Sequence, residues 1–238
     1  MGKILQFREK CVFLQQKRVE RMNIDNLLNR YFNDKSMLPT IEVFDSENIH
    51  DVYVDIVTIL KNSPEIELGI LQLLSYCFYE ILDNVLVHSG KKSGIVIMQY
   101  ESSCSRIKIL VADDGMGIRK SLAENITYKD VTESEAVKLC LKDKVTDGKG
   151  MGFGLYSTAC LIKNAGVEME IHSGNSLLHT DGVKEDVHSA PFWQGTIIYF
   201  ELHADKDIDP NSILENRTDA ESEFNEEFID TSDLDQLW

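Results

Sequence analysis

Apolar positions first recur at helical spacing. Ile4, Phe7, Cys11 and Leu14 form one set, followed by Met22 and a second set of Ile24, Leu27, Leu28, Tyr31 and Phe32. A period near 3.6 predicts helix over most of residues 3–33, with the charged run 15–21 on a solvated face. Residues 38–60 are mixed. Pro39 and the polar cluster 45–48 mark turns, TIEVF reads as a strand, and VYVDIVTIL fits strand or helix. Ser63-Pro64-Glu65 has the composition of a helix start, a Ser cap followed by Pro and an acid. From it residues 65–88 are predicted to run as about six helical turns. One stripe is Ile70, Leu74, Cys77, Phe78, Ile81 and Val85; the opposite stripe is Gln72, Tyr76, Glu80, Asp83, Asn84 and His88.

Beyond residue 94 the pattern changes. GIVIMQY and RIKILVA are β-rich runs around a turn-like 101–105, which predicts a hairpin. The second run ends in Asp113-Asp114-Gly115-Met116-Gly117. Residues 120–147 are polar, with a short helix expected over 134–141; with the glycine-rich stretch after them they make a long connection, the kind that forms lids. Residues 155–164 read as a helix. VEMEIHS and GTIIYFELH read as two strands flanking a polar insertion, 175–194. Past residue 203 the chain turns to Asp, Glu, Asn and Ser, the composition of a disordered tail, punctuated by Phe224, Phe228, Leu234, Leu237 and Trp238. Three parts are therefore expected: a mainly helical segment 1–60 that packs or dimerises, a domain 61–203, and an acidic tail 204–238.

Composition narrows the classes. The hydrophobic fraction is 43%, normal for a globular chain. On the sequence no run is long and apolar enough to span a bilayer, and residues 1–10 lack a signal-peptide core. The five cysteines are scattered with no C-x-x-C pair, which fits reduced thiols and a cytoplasmic location. Net charge is −16, and residues 205–238 carry twelve acids against two bases. Neither part has the clustered Lys and Arg of a nucleic-acid binder. The spaced aromatics of the tail suit a protein partner.

Residues 148–155, GKGMGFGL, place four glycines at alternate positions immediately before a helix. Backbone N–H groups can approach a phosphate chain closely there, at the positive end of the helix dipole. The loop is neither a G-x-x-x-x-G-K-[ST] phosphate loop nor a G-x-G-x-x-G dinucleotide fingerprint. Upstream, Glu80 and Asn84 are four residues apart and share a helix face. A carboxylate there can take a proton, and an amide oxygen is a hard ligand suited to Mg²⁺. Asp113 closes a strand, and Gly115 and Gly117 beside it leave room for a flat group against the backbone.

Glu80-Ile-Leu-Asp-Asn84-Val-Leu-Val-His88-Ser89, then Asp113-Asp-Gly115-Met-Gly117, then Gly150-Met-Gly152-Phe-Gly154-Leu155 stand in one order. In that order they resemble the ATP-binding domain shared by the B protein of DNA gyrase, the mismatch-repair protein MutL, the large heat-shock chaperones and the histidine kinases, the GHKL or histidine kinase-like ATPase superfamily. The resemblance covers roughly residues 65–203 and ends on Gly195-Thr196. It implies a two-layer α/β sandwich, a mixed sheet with helices on one face. It implies ATP and Mg²⁺ as cofactors: Asp113 accepting from the adenine amino group, Gly115 and Gly117 against the base, Thr196 supporting it, Asn84 on the metal, and Gly150, Gly152, Gly154 and Leu155 around the phosphates. Glu80 becomes the general base. Lys149, with Lys142 and Lys144, is a candidate phosphate contact that the family pattern does not fix.

The Glu-x-x-x-Asn-x-x-x-His-Ser form looks most like the anti-sigma-factor serine kinases and some short histidine kinases. His50 lacks the Arg and Pro of a phosphoacceptor box. Three readings stay open: an ATPase or ATP-gated switch acting on a protein partner, a protein kinase acting in trans, and a nucleotide-binding module without turnover.

Overall fold

The computed structural model describes residues 23–33, 38–63, 65–149, 155–156, 158–159, 167–206 and 208. The segment 1–22, Pro64, the glycines 150, 152 and 154, most of the helix expected over 155–164 and the tail from 209 lie outside the described residues.

Among the described residues five strands form one sheet in the order β1-β2-β3-β5-β4. They are β1 (Thr40–Asp45), β2 (Ser93–Glu101), β3 (Arg106–Ala112), β4 (Glu168–Thr180) and β5 (Glu185–His203). Every neighbouring pair is antiparallel, where a mixed sheet was expected. β2 and β3 form the expected hairpin, closed by a 3₁₀ turn at Ser102–Cys104 and by Ser105 in the left-handed region at φ 50°.

The α-helices whose bounds lie within the described residues are α1 (Ile24–Tyr31), α2 (Ile49–Lys61), α3 (Leu68–His88), α4 (Ile118–Leu122) and α5 (Glu133–Leu139). The ambiguous VYVDIVTIL is helix α2. Its Val52, Tyr53, Ile56, Val57 and Leu60 recur at helical spacing, and all are buried. α3 starts three residues after the Ser-Pro-Glu stretch. Its N-cap is Glu67, which makes no side-chain cap bond, while Ser63 Oγ donates back to Ile59 O at 3.2 Å. Ser63 therefore closes α2 rather than opening α3. α5 carries a full capping box, Thr132 with Glu135.

The main core lies between α2, α3 and one face of the sheet. Ile56, Ile70, Phe78, Ile81 and Leu82 meet Phe44, Val96, Ile107, Ile109, Met169 and Ile171, all buried. α1 covers the opposite face, with Leu27, Tyr31 and Phe32 packed on Val43, Ile95, Ile97, Leu110, Ala112 and Ile197. The expected one-sided layer of helices thus has a small second layer. Central strands covered on both faces explain why IVIM (95–98) and ILVA (109–112) are continuous apolar runs rather than alternating ones. Residues 40–61 add the edge strand β1 and helix α2 to this core.

α3 is long and apolar enough to cross a membrane by length and composition, contrary to the expectation that no run is. In this fold it is the central helix of the core, and Ile70, Leu73, Leu74, Cys77, Phe78, Ile81 and Leu82 are buried. The chain returns to its start after β5: Glu67 N–H donates to Ala204 O at 2.8 Å, and Ile208 packs on the main core.

The polar insertion 175–194 is largely strand. It lengthens β4 and β5 into a two-stranded ribbon, interrupted by register shifts between Ser173 and Ser176.

Candidate nucleotide site

β3 runs out of the core and delivers Asp113 at its end. The residue is only 2% exposed. Burial pushes its pKa up to about 7, against the opposing pull of the Gly115 and Thr196 backbone N–H groups. The Gly115 N–H donates to Asp113 Oδ1 at 2.7 Å, and the Asp113 N–H donates to Thr196 O at 2.9 Å. Asp113, Gly115, Gly117 and Thr196 are therefore brought together at the junction of β3 and β5.

Backbone crowding dictates the glycines. A Cβ on Gly115 would stand 2.3 Å from Ser89 O and 2.7 Å from Asp113 Oδ1. Gly195 has φ +99°, and a Cβ there would lie 2.3 Å from Asp113 O. In the sequence Gly195 is visible only as the neighbour of Thr196, and nothing local announces its contact with Asp113.

Glu80 and Asn84 come from α3, and Glu80 is half-buried. Burial, then the neighbouring Asp83, raises its pKa toward the range where a carboxylate is an effective base. The Met116 N–H donates to Ser89 O at 2.8 Å, which docks the loop after β3 on the end of α3. The end of α3 that follows Asn84 is therefore held against the loop after β3.

The Asn84 Nδ2 is buried and has no hydrogen-bond partner among the described residues. A buried N–H group without a partner is costly, and an acceptor atom brought within its reach relieves that cost, whereas a cation on the Asn84 oxygen does not. Among the described residues no group of three or more His, Cys, Asp or Glu forms a metal cage. Mg²⁺ tends to be held by one or two protein oxygens together with substrate phosphates, and one amide fits that pattern.

Lys149 points to Glu124, at 2.7 Å, and lies 3.7 Å from Asp147. Lys142 pairs with Glu185 at 2.8 Å. Lys144 adopts φ 60°. The pairs of Lys149 with Glu124 and of Lys142 with Glu185 are partly exposed, and such pairs are weak enough to exchange for a phosphate. Leu155 is helical, half-buried and packed on the main core.

A second cluster, missed from the sequence, anchors the approach to the glycine loop. Asp147 is buried; its Oδ2 lies 2.8 Å from His88 Nδ1 and accepts from Ser121 Oγ at 2.8 Å. Its Oδ1 accepts the Lys149 N–H at 3.0 Å. One carboxylate thus ties the end of α3, helix α4 and the chain entering the glycine stretch. No local signal links residues 88, 121 and 147; the fold alone joins them.

Burial by itself would raise the Asp147 pKa, but the His88, Lys149 and Ser121 hydrogen bonds outweigh it and hold it below the ordinary range. A depressed acid stabilises the folded state above its unfolded pKa of about 4, and the contribution is lost as pH falls through the folded value. Asp147→Ala should cost about 1–3 kcal/mol at pH 7. Scanning calorimetry should show the gap from wild type narrowing below about pH 4.

The chain matches the family described as Histidine kinase-, DNA gyrase B-, and HSP90-like ATPase over residues 69–206. A search among curated proteins finds no match. The matched span runs from the first turn of α3 through the end of β5, takes in Glu80, Asn84, Asp113 and Thr196, and covers more than half of the 238 residues. The chain belongs to the histidine kinase-, DNA gyrase B- and HSP90-like ATPase family.

Proposed function

We infer that this protein binds ATP with Mg²⁺ and hydrolyses it, coupling nucleotide state to contacts with a protein partner. The observation that carries the reading is the buried Asp113 carboxylate, walled by backbone at Gly115 and Gly195 and docked through Ser89 on the helix that bears Glu80 and Asn84. A buried acid with one face against glycines suits a flat heterocycle that offers an amino group.

Asp113 would accept the adenine amino hydrogen, with Gly117 at the plane of the base and the Thr196 hydroxyl beside it. The Asn84 oxygen would hold the metal, which supplies charge neutralisation between the phosphates. Glu80, one helical turn before Asn84, would orient the attacking hydroxyl or water and take its proton. Gly150, Gly152, Gly154, Lys149 and the start of the helix at Leu155 would face the phosphates.

Phosphoryl transfer to a protein hydroxyl uses the same residues, so a serine or threonine kinase acting in trans is the alternative. His50 stands in the first turn of α2, its ring 6.4 Å from that of Tyr53. Incubation with γ-labelled ATP, alone and with cell lysate, separates the readings. Free phosphate from the protein alone is the expected result. A labelled partner would identify a kinase, and neither product would leave a binding module without turnover.

A further inference from the structure

The ribbon formed by β4 and β5 returns to the nucleotide site. Gly174 pairs with Trp193 and Ser173 with Thr196, so one step along β4 corresponds to three along β5. Such a bulge re-aims side chains. Here it turns two consecutive residues onto the loop after β3. Trp193 Nε1–H donates to the main-chain O of Asp113 at 3.1 Å, and Gln194 Nε2 donates to the main-chain O of Gly115.

Ser173 completes the contact. Its Oγ donates to Gly195 O at 2.9 Å and accepts the Ile118 N–H at 2.9 Å. The loop 113–118 is therefore held at its main-chain atoms from Asp113 to Ile118. Gln194 is itself exposed, so global stability has little need of its amide. Its bond acts locally, on the direction of the Gly115 carbonyl and so on the residue whose N–H fixes Asp113 Oδ1.

We propose that Trp193 and Gln194 are positioning residues that set the base preference of the site. By clamping the carbonyls of Asp113 and Gly115 they hold the Asp113 carboxylate where a purine with an amino group at position 6, as in adenine, can use it and one with a carbonyl there, as in guanine, cannot. This rests on the reading of Asp113 as the adenine acceptor. Preference is a difference between two affinities, and a carboxylate free to shift loses more with the base it is placed for than with one it does not bond.

The test uses the full chain and a fluorescent ATP analogue displaced by ATP or by GTP, with Mg²⁺ present. In Trp193→Phe/Gln194→Met, ATP should displace the analogue about tenfold or more less effectively, and GTP less than about twofold differently, so the preference for ATP narrows about tenfold. Equal losses for both nucleotides, or no loss for either, would overturn the proposal. Should the paired change unfold the chain, Gln194→Met alone decides, with a narrowing of about threefold expected and an unchanged ratio contradicting it. Failure of wild type to bind ATP would instead overturn the underlying reading.

Discussion

Asp113→Asn should weaken ATP binding by about 10²–10³-fold while the chain stays folded. Two losses add. A hydrogen bond to a charged acceptor contributes about 1.5–3 kcal/mol, and an amide turned toward the adenine amino group leaves a donor unsatisfied at about 1–3 kcal/mol. At about 1.4 kcal/mol per tenfold the sum reaches that range. The fold should tolerate the change, because an Asn oxygen can still accept the Gly115 N–H that Asp113 Oδ1 accepts at 2.7 Å.

The stability effect of the same substitution has a definite sign. Burial raises the folded pKa of Asp113 to about 7, above its unfolded value. A raised acid favours the folded state at low pH, and that advantage is lost as pH climbs from about 4 through about 7. The Asn variant should therefore gain on wild type in melting temperature between about pH 5 and about pH 8. ATP affinity in wild type should rise over the upper part of that window, as the carboxylate gives up its proton to accept the base. The variant should lack that dependence. Calorimetry at the two pH values checks both; a variant that binds ATP as wild type does would remove Asp113 from the site.

Glu80→Gln should lower kcat by about 10²–10⁴-fold and leave the affinity for ATP within a few-fold. A general base works in the chemical step, so its loss falls on turnover. Glu80 is half-buried with its pKa raised by burial and by Asp83, which suits a base better than a solvated surface acid. Gln keeps the shape and removes the proton acceptor. Steady-state phosphate release together with equilibrium binding separates the two parameters. Unchanged turnover would make Glu80 an ordinary residue of the helix's polar stripe.

The motifs that carry the family resemblance were legible in the sequence because each is local. The run from Glu80 to Ser89 lies along the end of one helix and Asp113 to Gly117 in one turn, so residue order alone displays them. The strands β2 and β3 were legible as apolar runs. The start of α3 was misplaced because Ser63-Pro64-Glu65 has the chemistry of a cap, yet its Ser hydroxyl bonds backwards to Ile59. The ribbon was not legible within the polar insertion 175–194 because the register shifts from Ser173 to Ser176 break any alternation, and because Asp, His and Ser suit an exposed strand and an irregular insertion equally well. The clamp by Trp193 and Gln194 and the Asp147 knot with His88 and Ser121 join residues 26 to 80 positions apart, and only the fold brings them together.

Titration of the intact protein with ATP and Mg²⁺ in a calorimeter, beside a parallel titration with GTP, tests the central claim most directly. The account predicts saturable binding of one ATP per chain, much weaker binding of GTP, and loss of the ATP signal in Asp113→Asn. Absence of heat and of any thermal stabilisation by ATP, or equal binding of the two nucleotides in wild type and in Asp113→Asn, would contradict it.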